Sequence, residues 1–154
     1  MSKIEAKVRE LGFEIPEAPK PVASYIPAVR TGNLVFTSGQ LPMKDGKMTI
    51  TGIVGKDVTP EQATEAARLC AINAFAAAKT VISSLDDVVR VLKVNVYVAS
   101  DPGYHAHPKI ANGASDFIAQ VFGESGRHAR TTLGLAVLPL NAPVEVELML
   151  EVKG

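Results

Sequence analysis

Several features that often reveal a protein's class are scarce or absent in this 154-residue sequence. It has one cysteine, Cys70, no tryptophan, and only 5% aromatic residues. A single cysteine excludes an intrachain disulfide and is typical of proteins from a reducing compartment. Because the residues next to Cys70 carry no charge that would lower the pKa of its thiol, we interpret it as a small buried hydrophobic residue and not as a nucleophile.

An excess of charge of either sign is also lacking, since 16 lysines and arginines balance 16 acidic residues. Without a basic run there is no broad positive field to attract nucleic acid, so binding to RNA or DNA is disfavoured. The N-terminal residues lack the apolar stretch of a secretory signal, and no run approaches the roughly 20 apolar residues that span a membrane. We therefore predict a cytoplasmic protein without a membrane partner.

What remains is the composition of an ordinary globular domain, with 47% apolar and 21% charged residues. The length suits one domain with a single core. Residues 2–11 predict a short helix that Gly12 ends, and three prolines then interrupt regular structure. We divide the chain into an N-terminal arm with this helix, residues 1–21, and one domain, residues 22–154.

Runs of alternating apolar and polar residues, separated by turn residues, predict five strands in the domain. The strands at residues 24–30 and 33–38 flank a Thr-Gly-Asn turn and should form a hairpin. A third strand lies at residues 88–99. Two more, at residues 131–137 and 143–152, flank the turn sequence Leu-Pro-Leu-Asn-Ala.

Two helices separate these strands. Thr59 as N-cap, a following proline and Gln62 as capping-box partner predict that the first helix begins here and runs to about Ser84. Its small residues recur at three- and four-residue steps, which suits close packing on a sheet. Asn73 lies at the edge of this stripe, and we interpret it as a hydrogen-bonded structural amide, with catalysis as the alternative. The second helix covers about residues 108–122.

Alternation in the two longest strands predicts a sheet with one apolar and one polar face. In the strand at residues 88–99, Leu92 should face the helices together with the valines that follow it. The opposite face carries Lys93, Asn95 and Tyr97 from this strand and Glu145, Glu147, Met149 and Glu151 from the last one. A row of glutamates is usually solvated, but Met149 interrupts this one. We interpret the face as lining an oligomer.

Two stretches of the sequence resemble the signature segments of the reactive intermediate deaminase (RidA) family, also called the YjgF or L-PSP endoribonuclease family. They are SYIPAVRTGNLVFTSGQLP, residues 24–42, and HARTTLGLAVLPLNAPVEVE, residues 128–147. The resemblance covers about residues 22–152. It implies an α+β, chorismate mutase-like fold in which two main helices pack on one face of a mixed sheet. It also implies a homotrimer whose sheets form a central barrel, with sites in the clefts between subunits.

The same resemblance implies hydrolytic deamination of small 2-imino or enamine acids to 2-keto acids and ammonia, without a metal or an organic cofactor. It assigns Arg130 to the substrate carboxylate, which a guanidinium can bind through two charge-assisted hydrogen bonds. Glu145 is implied to orient the attacking water and to accept or relay its proton. The residues implied to line the cleft are Tyr25, Ser38, Gly39 and Thr132.

The sequence departs from the family pattern at three positions. His128 and Thr132 stand where the family commonly has proline and cysteine, and a helical asparagine of the family aligns near Gly113, one residue from Asn112. We keep Asn112, Thr132 and His128 as candidate substrate-binding residues, with His128 at the rim of the cleft, where it could titrate near neutrality. The departures indicate a divergent subgroup whose substrate can differ.

Some residues of the sequence also suggest other functions. His105 and His107 with His128 suggest a zinc site, but His105 and His107 would point to different sides of a helix, and no HExxH or CxxC pattern is present, so we predict no metal. The GxSxG motif of serine hydrolases is absent too. The remaining alternatives are a non-catalytic carboxylate-binding or regulatory trimer and, against the neutral charge, RNA cleavage.

Overall fold

The computed structural model describes residues 1–18, 20 and 24–154. The order of elements is α1 (Lys3–Glu10), β1 (Ala28–Thr31), β2 (Leu34–Thr37), β3 (Met43–Lys44), β4 (Lys47–Met48), α2 (Pro60–Ala78), β5 (Val88–Ala99), α3 (His107–Phe122), β6 (Ala129–Leu135) and β7 (Val144–Val152). Short 3-10 turns occupy Leu85–Asp87, Gly123–Gly126 and Pro139–Asn141. The predicted boundary between arm and domain, at residues 21 and 22, lies outside the described residues.

Five strands form one mixed sheet in the order β1-β2-β7-β5-β6. β5 and β6 run parallel and are joined through α3, whereas the other neighbouring strands are antiparallel. α2 and α3 pack together on one face of the sheet, where the main core lies. The predicted α+β fold with two helices on a mixed sheet is confirmed. No helix in the described ranges is long and apolar enough to cross a membrane.

The first helix of the chain is attached to the domain at its own N-terminus. The carboxylate of Asp86 accepts hydrogen bonds from the backbone N–H groups of Lys3 and Ile4, each at 2.9 Å. Such bonds satisfy donors that the first turn of a helix leaves unpaired. Val8 is fully buried, and Gly12, with φ of +88°, follows the end of the helix as predicted. α1 therefore packs on the domain and does not extend from it.

α2 begins where its capping signals predict and ends earlier than predicted. The side chain of Thr59 accepts from the N–H of Gln62 at 3.2 Å, and the side chain of Gln62 accepts from the N–H of Thr59 at 3.0 Å. The helix stops at Ala78 and not near Ser84. The residues beyond it, 80–84, are Thr-Val-Ile-Ser-Ser, which are β-branched residues and serines that lower helix propensity.

The two main helices lie so close that α3 needs a glycine where it crosses α2. A Cβ at Gly113 would overlap the backbone carbonyl of Thr64 in α2. Phe75 in α2 and Phe117 in α3 stack with ring centroids 6.1 Å apart. The stripe of small residues in α2 therefore permits close helix packing, as the sequence predicts.

One face assignment in β5 was wrong. The helix-facing positions Val94, Val96 and Val98 are fully buried, but further back Val91 is buried and Leu92 is only partly so. The register of β5 against β7 shifts between Val91 and Lys93, which indicates a β-bulge. Because a bulge adds one residue to a strand, an alternation extended backwards from Val94 assigns Leu92 to the wrong face.

The face of the sheet opposite the helices, which we call the open face, combines apolar and acidic side chains. The strand registers place on it Val29, Leu34, Phe36, Lys93, Asn95, Tyr97, Leu133, Leu135, Glu145, Glu147, Met149 and Glu151. Val29 is 50% exposed and Leu133 is 48% exposed. Apolar side chains in the outer strands thus flank the glutamate row of the central β7.

Candidate functional site

Arg130 is held on the helix-covered side of the sheet by α3. It pairs in register with Val94 of β5, whose side chain is buried beneath the helices. Its Nη1 donates to Asn112 Oδ1 at 2.8 Å and to Ser115 Oγ at 3.1 Å. Among the described residues, only Nη1 of this guanidinium has partners. The edge formed by Nε and Nη2 has no partner within the described ranges, and its geometry suits a carboxylate bound in a bidentate fork.

Thr132 and Gly134 continue the same side of β6. Thr132 pairs with Val96 and is half-buried, two residues beyond Arg130. A Cβ at Gly134 would overlap the His107 ring at the start of α3. β6 is the last strand of the sheet, so the backbone of this strand is paired on one side by β5. Arg130 and Thr132 therefore lie side by side at an edge that a ligand or a second chain can approach.

His128 contacts the same serine that holds Arg130. Its Nε2 lies 2.8 Å from Ser115 Oγ, and its Nδ1 lies 2.6 Å from the carbonyl oxygen of Gly126. Burial lowers the pKa of His128 below its ordinary value, and the charge of Arg130 lowers it further, against an opposing effect of the bond to Gly126. Burial and Arg130 therefore favour the neutral imidazole, which borders a shallow depression between α3 and the turn that follows it.

Glu145 lies on the open face, beside the loop that follows β2. It pairs in register with Tyr97 of β5. A Cβ at Gly39 would overlap the Glu145 carboxylate, so the glycine allows close approach of the two segments. Burial raises the pKa of Glu145, and the nearby Glu147 raises it further. No ion pair within the described parts of the chain involves Glu145.

Glu147, two residues further along β7, is hydrogen-bonded through its Oε1 to two side chains of β5. It accepts from Asn95 Nδ2 at 2.9 Å and from the hydroxyl of Tyr97 at 2.6 Å. Burial and this bond raise the pKa of Tyr97 to about 12. The sequence placed all three residues on one face but did not identify this cluster, because the strand register that brings them together cannot be read from one strand alone.

The loop that carries Ser38 and Gly39 is bonded to its surroundings on both sides. The hydroxyl of Ser38 donates to the Ile26 carbonyl at 2.6 Å, which ties the loop to the segment before β1. Gln40 exchanges two backbone hydrogen bonds with Val146 of β7, at 2.8 and 3.0 Å. Gly39 is thereby fixed against Glu145. Tyr25, in the segment before β1, is 52% exposed.

The candidate residues therefore form two groups on opposite sides of the sheet. The helix-side group is Arg130, Asn112, Ser115, His128 and Thr132, and the open-face group is Glu145, Gly39 and Ser38. The structure brings the members of each group together. Within one chain it does not bring Arg130 to Glu145. Ser115, which joins Arg130 to His128, was missed, because a single serine in a helix has no sequence pattern of its own.

The other residues singled out by the sequence have structural roles. Asn73 is buried and its Nδ2 donates to the carbonyls of Leu41 and Met43, at 2.9 and 3.0 Å. Cys70 is buried, and burial raises the pKa of its thiol well above the ordinary value. His107 Nε2 lies 2.8 Å from Ser100 Oγ. Among the described residues, no three metal-binding side chains lie close enough to share an ion.

Comparison with known proteins assigns the family. The sequence profile described as "YjgF/chorismate mutase-like, putative endoribonuclease" matches residues 5–152, nearly the whole chain. The chain belongs to the YjgF family. The match includes most of α1 as well as every strand of the sheet. The resemblance found in the sequence is thus confirmed at the level of family and of chain fold.

Relatives within the YjgF family are similar over most of their length. Protein TCP17 of Trypanosoma cruzi is 40% identical over 99% of this chain and 96% of its own. A 2-iminobutanoate/2-iminopropanoate deaminase of Dermatophagoides farinae is 33% identical over 86% of this chain and 88% of its own. The crystal structure of Atu1372 from Agrobacterium tumefaciens, a protein of unknown function, is 45% identical, covers 98% of this chain and 93% of its own, and has a TM-score of 0.92.

Proposed function

We propose that this protein hydrolyses small 2-imino or enamine acids to 2-keto acids and ammonia. The observation that carries the proposal is Arg130, whose Nη1 is held by Asn112 and Ser115 while its Nε and Nη2 have no partner among the described residues. An arginine fixed in this way is suited to a small carboxylate, because a preorganised fork binds both oxygens at little entropic cost. The name of the mite relative, an imine deaminase, supports the reaction class.

The site that we propose lies between identical subunits. Arg130 and Glu145 face opposite sides of the sheet, so they can act on one substrate only if each comes from a different copy of the chain. The half-exposed valine and leucines of the open face supply apolar surface for such a contact. A homotrimer with its open faces turned inward as a barrel, which the sequence resemblance implies, would satisfy both conditions.

The chemistry needs no group beyond these side chains and water. Arg130 holds the substrate carboxylate, and a water oxygen bonds to the imine carbon while one electron pair of the C=N bond moves to nitrogen. Glu145 accepts the proton that this water loses and returns it to that nitrogen, which gives a neutral tetrahedral adduct. Glu145 then takes the hydroxyl proton of the adduct and passes it to the nitrogen, so that the C=O bond forms as the carbon–nitrogen bond breaks, and ammonia and the 2-keto acid leave. The raised pKa of Glu145 favours this role, because a carboxylate with a pKa nearer to neutrality is a stronger base.

A non-catalytic carboxylate-binding or regulatory trimer is the second candidate, because the held arginine would serve it equally well. The two candidates differ in turnover alone. RNA cleavage, the activity in the family description, is weakly supported here, since 16 basic and 16 acidic residues leave no net charge to hold a phosphate backbone.

An imine hydrolysis assay with matched variants tests the proposal. An amino-acid oxidase or dehydratase generates the imine, and keto acid release is compared with a control that lacks the protein. Glu145→Gln should slow turnover by ~10²–10⁴-fold yet keep or tighten the binding of 2-oxobutanoate. Arg130→Ala should abolish that binding, at a cost on the order of 2–5 kcal/mol.

Two control variants match these substitutions. Glu151→Gln alters another glutamate of the open face, and Arg127→Ala removes an exposed arginine close to Arg130. Both should keep wild-type turnover and affinity. Wild-type turnover no faster than the control without protein, in a protein that still binds 2-oxobutanoate, would favour the binding trimer. A monomer at micromolar concentration in sedimentation would contradict the shared cleft.

A further inference from the structure

The donor and the acceptor of each hydrogen bond between His128, Ser115 and Arg130 follow from the chemistry of the groups involved. The Gly126 carbonyl can only accept, so His128 Nδ1 carries the hydrogen and donates to it. In a neutral imidazole the other nitrogen, Nε2, is then an acceptor, and it receives the hydroxyl hydrogen of Ser115. The lone pairs of Ser115 Oγ remain to accept from Arg130 Nη1. Each hydrogen bond in this series therefore has one donor and one acceptor.

Protonation of His128 would break this consistency. Nε2 would gain a hydrogen and become a donor, so two cations would direct hydrogens at Ser115 Oγ, and the serine would have to turn its own hydrogen elsewhere. His128 stays in place because Nδ1 is bonded to a backbone carbonyl at 2.6 Å. Arg130 has the longer and more flexible side chain, and its other partner, Asn112, is exposed. Arg130 is therefore the group that moves.

We propose that His128, acting through Ser115, is a positioning residue that holds Arg130 for carboxylate binding only while its imidazole is neutral. The inference rests on the proposed function for its ligand, and it adds an acid-sensitive control of affinity within the site. His128 also stands at a position where the family commonly has proline, so this control would distinguish the chain from its usual relatives. The lowered pKa of His128 places the loss of affinity below pH 6.5.

Direct charge effects act in the opposite sense and can be separated from positioning. A protonated His128 near Arg130 would add positive potential and strengthen the binding of an anion. The other charged groups around His128 are the exposed Asp116 on α3, Glu124 and Arg127 in and after the next turn, and Arg90 of β5, whose side chain donates to the Arg127 carbonyl at 3.3 Å. Salt screens these exposed charges, whereas it does not restore a misplaced guanidinium.

The decisive experiment measures the affinity for 2-oxobutanoate by calorimetry between pH 8 and pH 5 at near-physiological salt, since this carboxylate stays ionised throughout. Wild-type affinity should fall roughly threefold to tenfold on acidification, the effect of about one hydrogen bond. The midpoint should equal the His128 pKa measured by NMR. The matched histidine control, His105→Gln, replaces an exposed loop histidine and should behave as wild type.

Three variants isolate the proposed path. His128→Gln should remove the acid loss, because an amide does not titrate. Ser115→Ala should give a low affinity that does not change with pH, and Ser115→Thr, which keeps the hydroxyl, should restore both affinity and pH dependence. Affinity that rises in acid would show that charge outweighs positioning. An acid loss that survives in His128→Gln would assign the effect to another group, such as Glu145, and either result would overturn the proposal.

Ligand-free NMR separates this inference from the proposed function. Neutral His128 should carry its hydrogen on Nδ1. The side-chain NH₂ groups of Arg130 should rotate slowly while His128 is neutral and rapidly once it is protonated, and they should rotate rapidly in Ser115→Ala at every pH. If wild-type protein binds no carboxylate at any pH, the proposed function fails but this measurement stands. If the NMR signals of Arg130 do not change when His128 is protonated, that result alone would overturn the positioning role.

Discussion

On the helix-covered face of the sheet, Val94, Val96 and Val98 have no exposed surface, whereas on the open face Val29 and Leu133 keep about half of theirs. Two polar side chains differ in the same way. Asn73 of α2 is buried and donates to two carbonyls, while Glu145 on the open face has no cationic partner among the described residues. The chain buries the apolar residues of the first face by itself and leaves several apolar residues of the second face exposed.

The two faces should therefore contribute differently to the stability of the folded chain and to its association. Removing apolar area from water stabilises the folded chain only where the chain itself covers that area. Substitutions of residues buried under the helices should therefore lower the free energy of unfolding. Substitutions of Glu145 and of the apolar side chains on the open face should act on association and activity, provided that a second copy of the chain covers that face.

The largest expected effect is on the helix-covered side. Phe117→Ala should lower the free energy of unfolding by about 3–5 kcal/mol, because it leaves a cavity between Phe75 and Phe13, whose ring centroids lie 6.1 and 5.4 Å from that of Phe117. Urea unfolding followed by circular dichroism measures the change. A loss below ~1 kcal/mol would mean that this face is less tightly packed than the structure indicates.

An intermediate effect is expected at the open face. Leu133→Asp should leave the circular dichroism spectrum unchanged but weaken self-association at least tenfold, since an interface would lose the ~1.5–3 kcal/mol of a buried leucine. Sedimentation at several protein concentrations measures this. Val137→Asp is the matched control, because Val137 is exposed but follows β6 and does not lie in the sheet. Equal association of both variants would show that the open face is not an interface.

The smallest expected effect is the gain in stability when Glu145 is replaced by a neutral residue. Its pKa is raised in the folded protein, so the ionised form destabilises the fold above the ordinary value of 4.5, and this cost is absent below it. Glu145→Gln should therefore raise the melting temperature by about 1–3 °C at pH 7, and the gain should vanish near pH 4. A melting temperature that falls at pH 7 would instead indicate that Glu145 pairs with a cation of a neighbouring subunit.

Sequence motifs predicted those parts of the fold that depend only on residues close together in the chain. The start of α2 follows from the reciprocal bonds of Thr59 and Gln62, which need only four consecutive residues. Its end was missed, because neither glycine nor proline marks it. The bulge before Lys93 was missed too, since an inserted residue is defined only relative to the partner strand.

The sequence named most of the candidate residues that the structure groups together, and it did not give their arrangement. The resemblance pointed to Arg130 and Glu145 without showing that they face opposite sides of the sheet, which depends on the registers that pair Arg130 with Val94 and Glu145 with Tyr97. Asn112 was kept although Gly113 aligned better, and the structure places Asn112 against Arg130. The link through Ser115 depends on how α3 is oriented against β6, which cannot be predicted from either segment alone.

The parallel pairing of β5 with β6 also has a consequence for the order of folding. Parallel neighbours need a crossover connection, here α3, and the long loop that it closes must form before the strands can pair. Arg130 depends on both partners of that crossover, because its strand is β6 and its hydrogen bonds reach α3. We therefore expect the proposed carboxylate site around Arg130 to assemble later in folding than the local hairpin of β1 and β2.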